Sequence, residues 1–402
     1  MENIQVIKNK IVEKSNISLN LVNEPIGKKA HHFHESFEQY SETPLVDLEH
    51  LAGLLGVKKF FVKDESFRFG LNAFKVLGGS YAIGNYIAQK LGKDIDEIDY
   101  KTLISKEVKD LLGDITFITA TDGNHGRGVA WTANVLNQKA IVYMPKGTSK
   151  ERLDNILSLG AKAEIKDLNY DECVRLANEE ANKYGYVMVQ DTAWDGYEDI
   201  PTWIIQGYTT MAYESYSRLK EMQQKPTHIF LQAGVGSMAA AMTGFFSSVY
   251  PEDEKPTIVI VEPDKANCIF ETAKANDGKL HFITGDMNTI MAGLACGEPC
   301  TIAWKILNTY ADYFISVPEN VAALGMRVLG NPLKGDKQVI SGESGAVTAG
   351  VVTELLSNES YRELRTQLNL NEESVVLCFS TEGDTDFNHY RKVVWQGIYP
   401  NL

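Results

Sequence analysis

Several things are scarce in this sequence, and each scarcity excludes a class. Five cysteines in 402 residues are too few for a disulfide framework. Cys296 and Cys300 stand close together, but no second Cys or His pair accompanies them, so no zinc or other metal site is expected. Basic residues are the minority, 39 Lys+Arg against 53 Asp+Glu, for a formal charge of −14. Binding to nucleic acid or to an anionic membrane surface needs a basic footprint, and both are excluded as partners. There is no Gly-X-Y period, low-complexity tract or internal repeat. Met1–Lys10 lacks the apolar core of a signal peptide, and with so few cysteines this predicts a reducing, cytoplasmic setting. The longest uncharged run, Ile229–Pro251, is interrupted by Gln232, Gly234, Gly236, Ser237 and Gly244. It reads as strand, glycine loop and helix rather than as a membrane span.

What is present is a globular chain. Hydrophobic residues make up 44% and charged residues 23%, enough apolar material to exclude a disordered chain. The length is two to three times that of a common domain and predicts two lobes. Short β-branched runs at Phe60–Lys63, Ile115–Ala120, Ala140–Met144, Tyr186–Gln190, Thr227–Gln232, Thr257–Val261 and Ser374–Ser380 predict buried strands. Between them, Phe74–Leu91, Gly126–Leu136, Lys150–Leu159, Asp171–Tyr184, Thr202–Met222, Met238–Val249 and Ser344–Leu356 predict helices. Parallel strands need crossovers of this length, so the alternation implies an α/β fold with a mostly parallel sheet. No linker divides the chain, so the backbone is expected to cross between lobes more than once.

Ligands of such sheets sit at the carboxyl ends of strands, and four strand-end loops hold the unusual residues. The first runs from Lys63 to Lys75 and opens into the helix beginning at Val76. A lysine in a first helical turn meets an unfavourable dipole, which lowers an ammonium pKa as a Schiff-base lysine requires; a solvated surface lysine is the alternative. The second is Thr119–Gly128, where Gly123, Gly126 and Gly128 allow close backbone approach and Asn124 offers donor and acceptor. The third, Gln232–Met238, places free amides at a helix start and suits a phosphate, although the same turn also serves tight packing. No lysine follows it as in a P-loop, and the glycines do not complete a dinucleotide fingerprint. The fourth, Ser380–Asp384, offers a hydroxyl that either caps a helix or bonds a ring nitrogen. Lysine, phosphate cradle and hydroxyl together are the parts that hold pyridoxal phosphate.

These residues resemble a known family. Ala73-Phe-Lys75 followed by Gly78-Gly79, Thr121-Asp-Gly-Asn-His-Gly126 and Val261-Glu-Pro263 resemble motifs of the fold-type II pyridoxal-phosphate enzymes, the tryptophan synthase β-subunit and serine/threonine dehydratase group. Within that group the diaminopropionate ammonia-lyase family is the closer likeness. It is carried by Phe69–Lys75, Ala120–Trp131, Val189–Trp194, Met291–Pro299, Ala323–Pro332, Ile340–Gly345 and Ser380–Asp386, and spans roughly residues 40 to 395.

The resemblance implies two open, mostly parallel sheets flanked by helices, with the cofactor between the lobes. Residues 1–84 and 190–402 would form the larger, cofactor-binding domain and residues 85–189 a smaller inserted α/β domain. Pyridoxal 5′-phosphate would be carried by Lys75, its phosphate by the backbone of Gly234, Val235, Gly236, Ser237 and Met238, and its 3′-oxygen by Asn124. Ser380 or Thr381 would meet the pyridine nitrogen. Asp122 stands where the wider group has a small residue; it and Asp191 would act as bases for the D and L isomers. The activity implied is α,β-elimination from 2,3-diaminopropionate, a small diamino acid, giving pyruvate and two ammonia, by a homodimeric carbon–nitrogen lyase. A serine/threonine dehydratase and a non-catalytic binder of a phosphate ligand are the rival readings. Whether Cys268 and Cys296 pair is open at this stage.

Overall fold

The computed structural model describes residues 4–10, 18–121 and 123–400. Among them are eleven strands in two sheets. They are β1 (Gln5–Lys8), β2 (Leu45–Asp47), β3 (Lys59–Asp64), β4 (Thr116–Ala120), β5 (Lys139–Met144), β6 (Lys162–Ile165), β7 (Val187–Met188), β8 (His228–Gln232), β9 (Thr257–Pro263), β10 (Tyr313–Val317) and β11 (Val375–Ser380). The larger sheet has the order β1-β10-β9-β8-β11-β3-β2 and the smaller β6-β5-β4-β7. The smaller sheet is parallel throughout. In the larger one only the outermost strands run antiparallel, β1 on β10 and β2 on β3. The chain is thus the expected α/β fold of two mostly parallel sheets.

All seven strands read from the sequence are present. The run at Tyr186–Gln190 shortens to Val187–Met188: Val189 N still donates to the Ile118 carbonyl at 2.9 Å, but Gln190 N turns to Tyr197 Oη at 2.8 Å. Every residue of β8, β10 and β11 is buried, as expected of strands covered by helices on both faces, which read as continuous apolar runs. The apparent span at Ile229–Pro251 is β8, a turn and the helix Ser237–Val249. No helix among the described residues is long and apolar enough to cross a membrane.

Topology decides where the chemistry collects. The chain builds β8, β9 and β10 outward, then returns to insert β11 between β8 and β3. The carboxyl ends of β3, β11 and β8 therefore lie side by side, and a reversal of this kind opens a crevice for a ligand. In the smaller sheet β4 and β7 are neighbours, so the loops bearing Asn124 and Asp191 also leave adjacent strand ends.

Candidate active site

Lys75 ends the loop after β3, and that loop is held from within. Arg68 is fully buried and reaches Glu65 at 2.8 Å through both Nε and Nη2, and Glu214 at 2.8 and 2.7 Å. Lys63 Nζ lies 2.5 Å from Glu214 Oε2 and donates to the carbonyl of Thr43 at 2.7 Å. Two buried bases face two buried acids, so neither sign is left uncompensated. Burial alone would push Glu214 up, but Arg68 and Lys63 outweigh it and hold its carboxyl well below the usual range.

The loop then turns through three left-handed residues, Phe69 (φ 50°), Gly70 (φ 68°) and Asn72 (φ 56°). For Phe69 and Asn72 that backbone costs about 1–2 kcal/mol each. It is sustained by packing of the Phe69 ring against His34, Phe37, Tyr40 and Trp131. Lys75 follows as the residue capping the helix Val76–Lys90.

One cavity, of about 540 Å³ including the part open to solvent, gathers most of the residues singled out by sequence. Lys75, Asn124, Asp191, Gly234, Val235, Gly236, Ser237, Met238 and Thr381 all line it. Ser380 does not: its hydroxyl donates to Ser341 Oγ at 2.8 Å. Asp122 lies outside the described residues. Thr119 gives its hydroxyl to Gln190 Oε1 at 2.9 Å, behind the wall of the cavity.

Lys75 Nζ is 2.9 Å from Asp191 Oδ2. The other oxygen of Asp191 accepts from Tyr170 Oη and Gln190 Nε2, each at 3.2 Å. Ser237 Oγ donates to the Asp191 carbonyl at 2.6 Å, fixing this segment to the glycine loop. Burial would raise the Asp191 pKa. The Lys75 charge, His125 and hydrogen bonds from Lys75 and Tyr170 outweigh it and keep the group ionised.

The glycine loop fits a phosphate. Gly236 has φ +98°, and a Cβ there would stand 2.9 Å from Ile269 Cδ1, so a side chain is refused on both counts. The turn delivers the chain into the helix Ser237–Val249, whose first amides have no acceptor within the helix. Those amides and the positive helix end favour an anion. Two buried polar atoms at the cavity wall, Tyr208 Oη and Gln232 Oε1, have no hydrogen-bond partner among the described residues. Such atoms are costly unless a polar ligand meets them. The residues present therefore fit pyridoxal phosphate.

Sequence reasoning missed Tyr208, Ser344 and Glu382 on this wall. Glu382 lies inside the Ser380–Asp384 loop and was visible there as an acid beside a hydroxyl. Tyr208 sits in mid-helix, where nothing local marks it. All five cysteines are buried. No metal-binding group of His, Cys, Asp or Glu is present among the described residues.

Comparison with known proteins agrees with this geometry. The family described as "Pyridoxal-phosphate dependent enzyme" matches residues 37–380. The diaminopropionate ammonia-lyase of Salmonella typhimurium is 50% identical over 382 residues, 94% of each chain. That of Escherichia coli K12 is 52% identical over 371 residues, 92% of this chain and 91% of that one. The solved structure of the Escherichia coli diaminopropionate ammonia lyase, in complex with an aminoacrylate-PLP azomethine reaction intermediate, superposes with a TM-score of 0.91. It is 47% identical and covers 100% of this chain and 99% of that one. Cavity, lysine and glycine cradle thus occur in a chain that belongs to the pyridoxal-phosphate dependent enzymes and, within them, to the diaminopropionate ammonia-lyase family.

Proposed function

We propose that this chain is a pyridoxal-phosphate-dependent lyase that eliminates ammonia from 2,3-diaminopropionate. The observation that carries the chemistry is the buried Lys75–Asp191 pair, 2.9 Å apart, on the wall of a cavity that also holds the Gly234–Met238 cradle. Pyridoxal phosphate, when bound, supplies an electron sink for the electron pair left as the α-proton departs.

The chain supplies the rest. Lys75 is the amine that would carry the cofactor, and the amides of Gly234, Val235, Gly236, Ser237 and Met238 would hold its phosphate. Asn124 would donate to the cofactor's 3′-oxygen. Thr381 is favoured over Ser380 at the ring nitrogen: it lines the cavity and accepts from Gln232 Nε2 at 2.9 Å, whereas Ser380 is turned to Ser341. Asp191, ionised beside Lys75, accepts the α-proton of the L isomer. Asp122 plays that part for the D isomer and pairs with the ammonium that distinguishes this substrate from serine. The β-amine leaves with a proton as ammonia, and hydrolysis of the enamine released yields pyruvate and a second ammonia.

The domain division follows the sheets. β4–β7 all fall within 85–189, and the seven strands of the larger sheet within 1–84 and 190–402, which supports assigning cofactor binding chiefly to the latter. The working form is a cytoplasmic homodimer. Pyruvate formation from each diaminopropionate enantiomer and from serine tests the assignment. Turnover of both enantiomers above serine is expected; a preference for serine makes the chain a dehydratase, and no turnover with cofactor bound makes it a binder.

A further inference from the structure

Glu382 is an acid with no role in the mechanism above, yet it lies on the same cavity wall, 2% exposed. Its Oε2 accepts from Asn124 Nδ2 at 2.5 Å and from Thr385 Oγ1 at 3.3 Å. Its Oε1 accepts from the amide of Ser344 at 3.3 Å, in the first turn of the 15-residue helix Glu343–Ser357, where a negative charge is favoured. The backbone at Glu382 is fixed just as firmly. It bridges Ala73 in antiparallel fashion, and its carbonyl accepts from Gly342 N at 3.0 Å. On either side, Phe74 N donates to Thr381 O and Gly383 N to Asn72 O, each at 3.0 Å. The carboxylate is therefore built onto the segment that delivers Lys75, and it reaches across to a residue that follows the smaller sheet.

The Asn124 amide turns its nitrogen, not its oxygen, toward Glu382, whose Oε2 accepts from it. We propose that Glu382 is a positioning residue for the elimination. By engaging one N–H of Asn124 it fixes the sense of that amide and leaves the second N–H as the donor for the cofactor's 3′-oxygen. This rests on the reading of Asn124 as a cofactor ligand. Glutamine at 382 presents either an oxygen or an NH2 group to Asn124, so the amide sense is no longer dictated.

The test is a double-mutant cycle of Glu382→Gln and Asn124→Ala. Its readouts are the dissociation constant for pyridoxal phosphate and the pH midpoint of the cofactor's visible absorbance, both recorded without substrate, followed by kcat and KM for diaminopropionate. E382Q is expected to weaken cofactor binding, displace the pH midpoint and lower kcat about 10- to 100-fold with little change in KM. In the Asn124→Ala background the same substitution is expected to add almost nothing to any readout. If E382Q does not fold, Glu382→Asp replaces it, keeping the acceptor one methylene short, with a smaller effect that also vanishes beside Asn124→Ala. Additive effects in the cycle, or an unshifted midpoint in E382Q, overturn the proposal. Because the spectral readouts need no substrate, failure to turn over diaminopropionate sinks the activity assignment and leaves this test standing.

Discussion

The helix that begins at Lys75 is held in place by a contact that tolerates no added atom, and Gly128→Ala probes it. Gly128 lies in the helix Asn124–Val135, against the first residue of Val76–Lys90. A Cβ on Gly128 would stand 2.7 Å from Val76 Cα, 2.9 Å from Val76 N and 3.2 Å from Lys75 C. All three are backbone atoms, so no side-chain rotation relieves the clash. The nearest distance falls short of ordinary contact by about 0.7 Å, which the two helices must supply by moving apart. Overpacking of this size costs about 1–3 kcal/mol of stability. The displaced atoms include the carbonyl carbon of Lys75 itself. A misplacement approaching 1 Å at a reacting group lowers turnover by up to about 100-fold. The assay pairs thermal unfolding with kcat for pyruvate release in the cofactor-loaded protein. Gly53→Ala is the control: Gly53 lies in the helix Glu49–Leu55, a Cβ there meets nothing within 4 Å, and a gain of up to about 1 kcal/mol is expected. Wild-type kcat in Gly128→Ala would refute the claim that this crossing sets the position of Lys75.

Further outcomes follow from the buried charges. Glu214→Gln leaves Lys63 and Arg68 facing Glu65 alone, so a buried neutral cluster gains one positive charge; a loss of about 3–5 kcal/mol in chemical denaturation is expected. His34 is fully buried, bonds Thr210 Oγ1 at 2.8 Å and lies 3.1 Å from the Leu77 carbonyl, and burial with Arg68 nearby pushes its pKa down to about 3. Its folded-state pKa is below the unfolded one, so the unfolded chain binds the extra proton and stability falls as pH drops from about 6.5 toward 3. The expected slope is about 1.4 kcal/mol per pH unit, and His34→Asn removes that part of it in unfolding curves taken from pH 7 to 5. Lys75→Ala removes the charge that outweighs the burial of Asp191. The carboxyl then rises, and the cofactor-free variant loses stability relative to the parent as pH increases from 5 to 8.

Much of the site was legible in the sequence because its residues cluster in loops with unusual composition. Lys75, Asn124, Asp191 and the Gly234–Met238 turn each follow a strand whose apolar run is plain, and all of them meet in one cavity. Strands covered on both faces carry their own signal, as β8 and β11 do. The edge strands β1, β2 and β6 are short and half-exposed, and nothing in their composition separates them from loops. β10, Tyr-Phe-Ile-Ser-Val, is fully buried and carries the same signal as β8 and β11. The choice between Ser380 and Thr381 could not be made locally. It depends on Ser341, 39 residues away in sequence, taking the Ser380 hydroxyl. The same holds for Glu382, whose meaning comes from Asn124 across the cavity. The ion cluster that anchors the lysine loop joins Lys63, Glu65 and Arg68 to Glu214 in a distant helix, and only the fold brings that helix near.

The Lys75–Asp191 cavity is built to expel an amine rather than a hydroxyl. The most direct measurement is the ratio of ammonia to pyruvate formed from 2,3-diaminopropionate by the cofactor-loaded protein, with Lys75→Ala as the blank. Two ammonia are expected for each pyruvate, and neither product in the variant. Pyruvate from serine alone, or undiminished product in Lys75→Ala, would contradict that assignment.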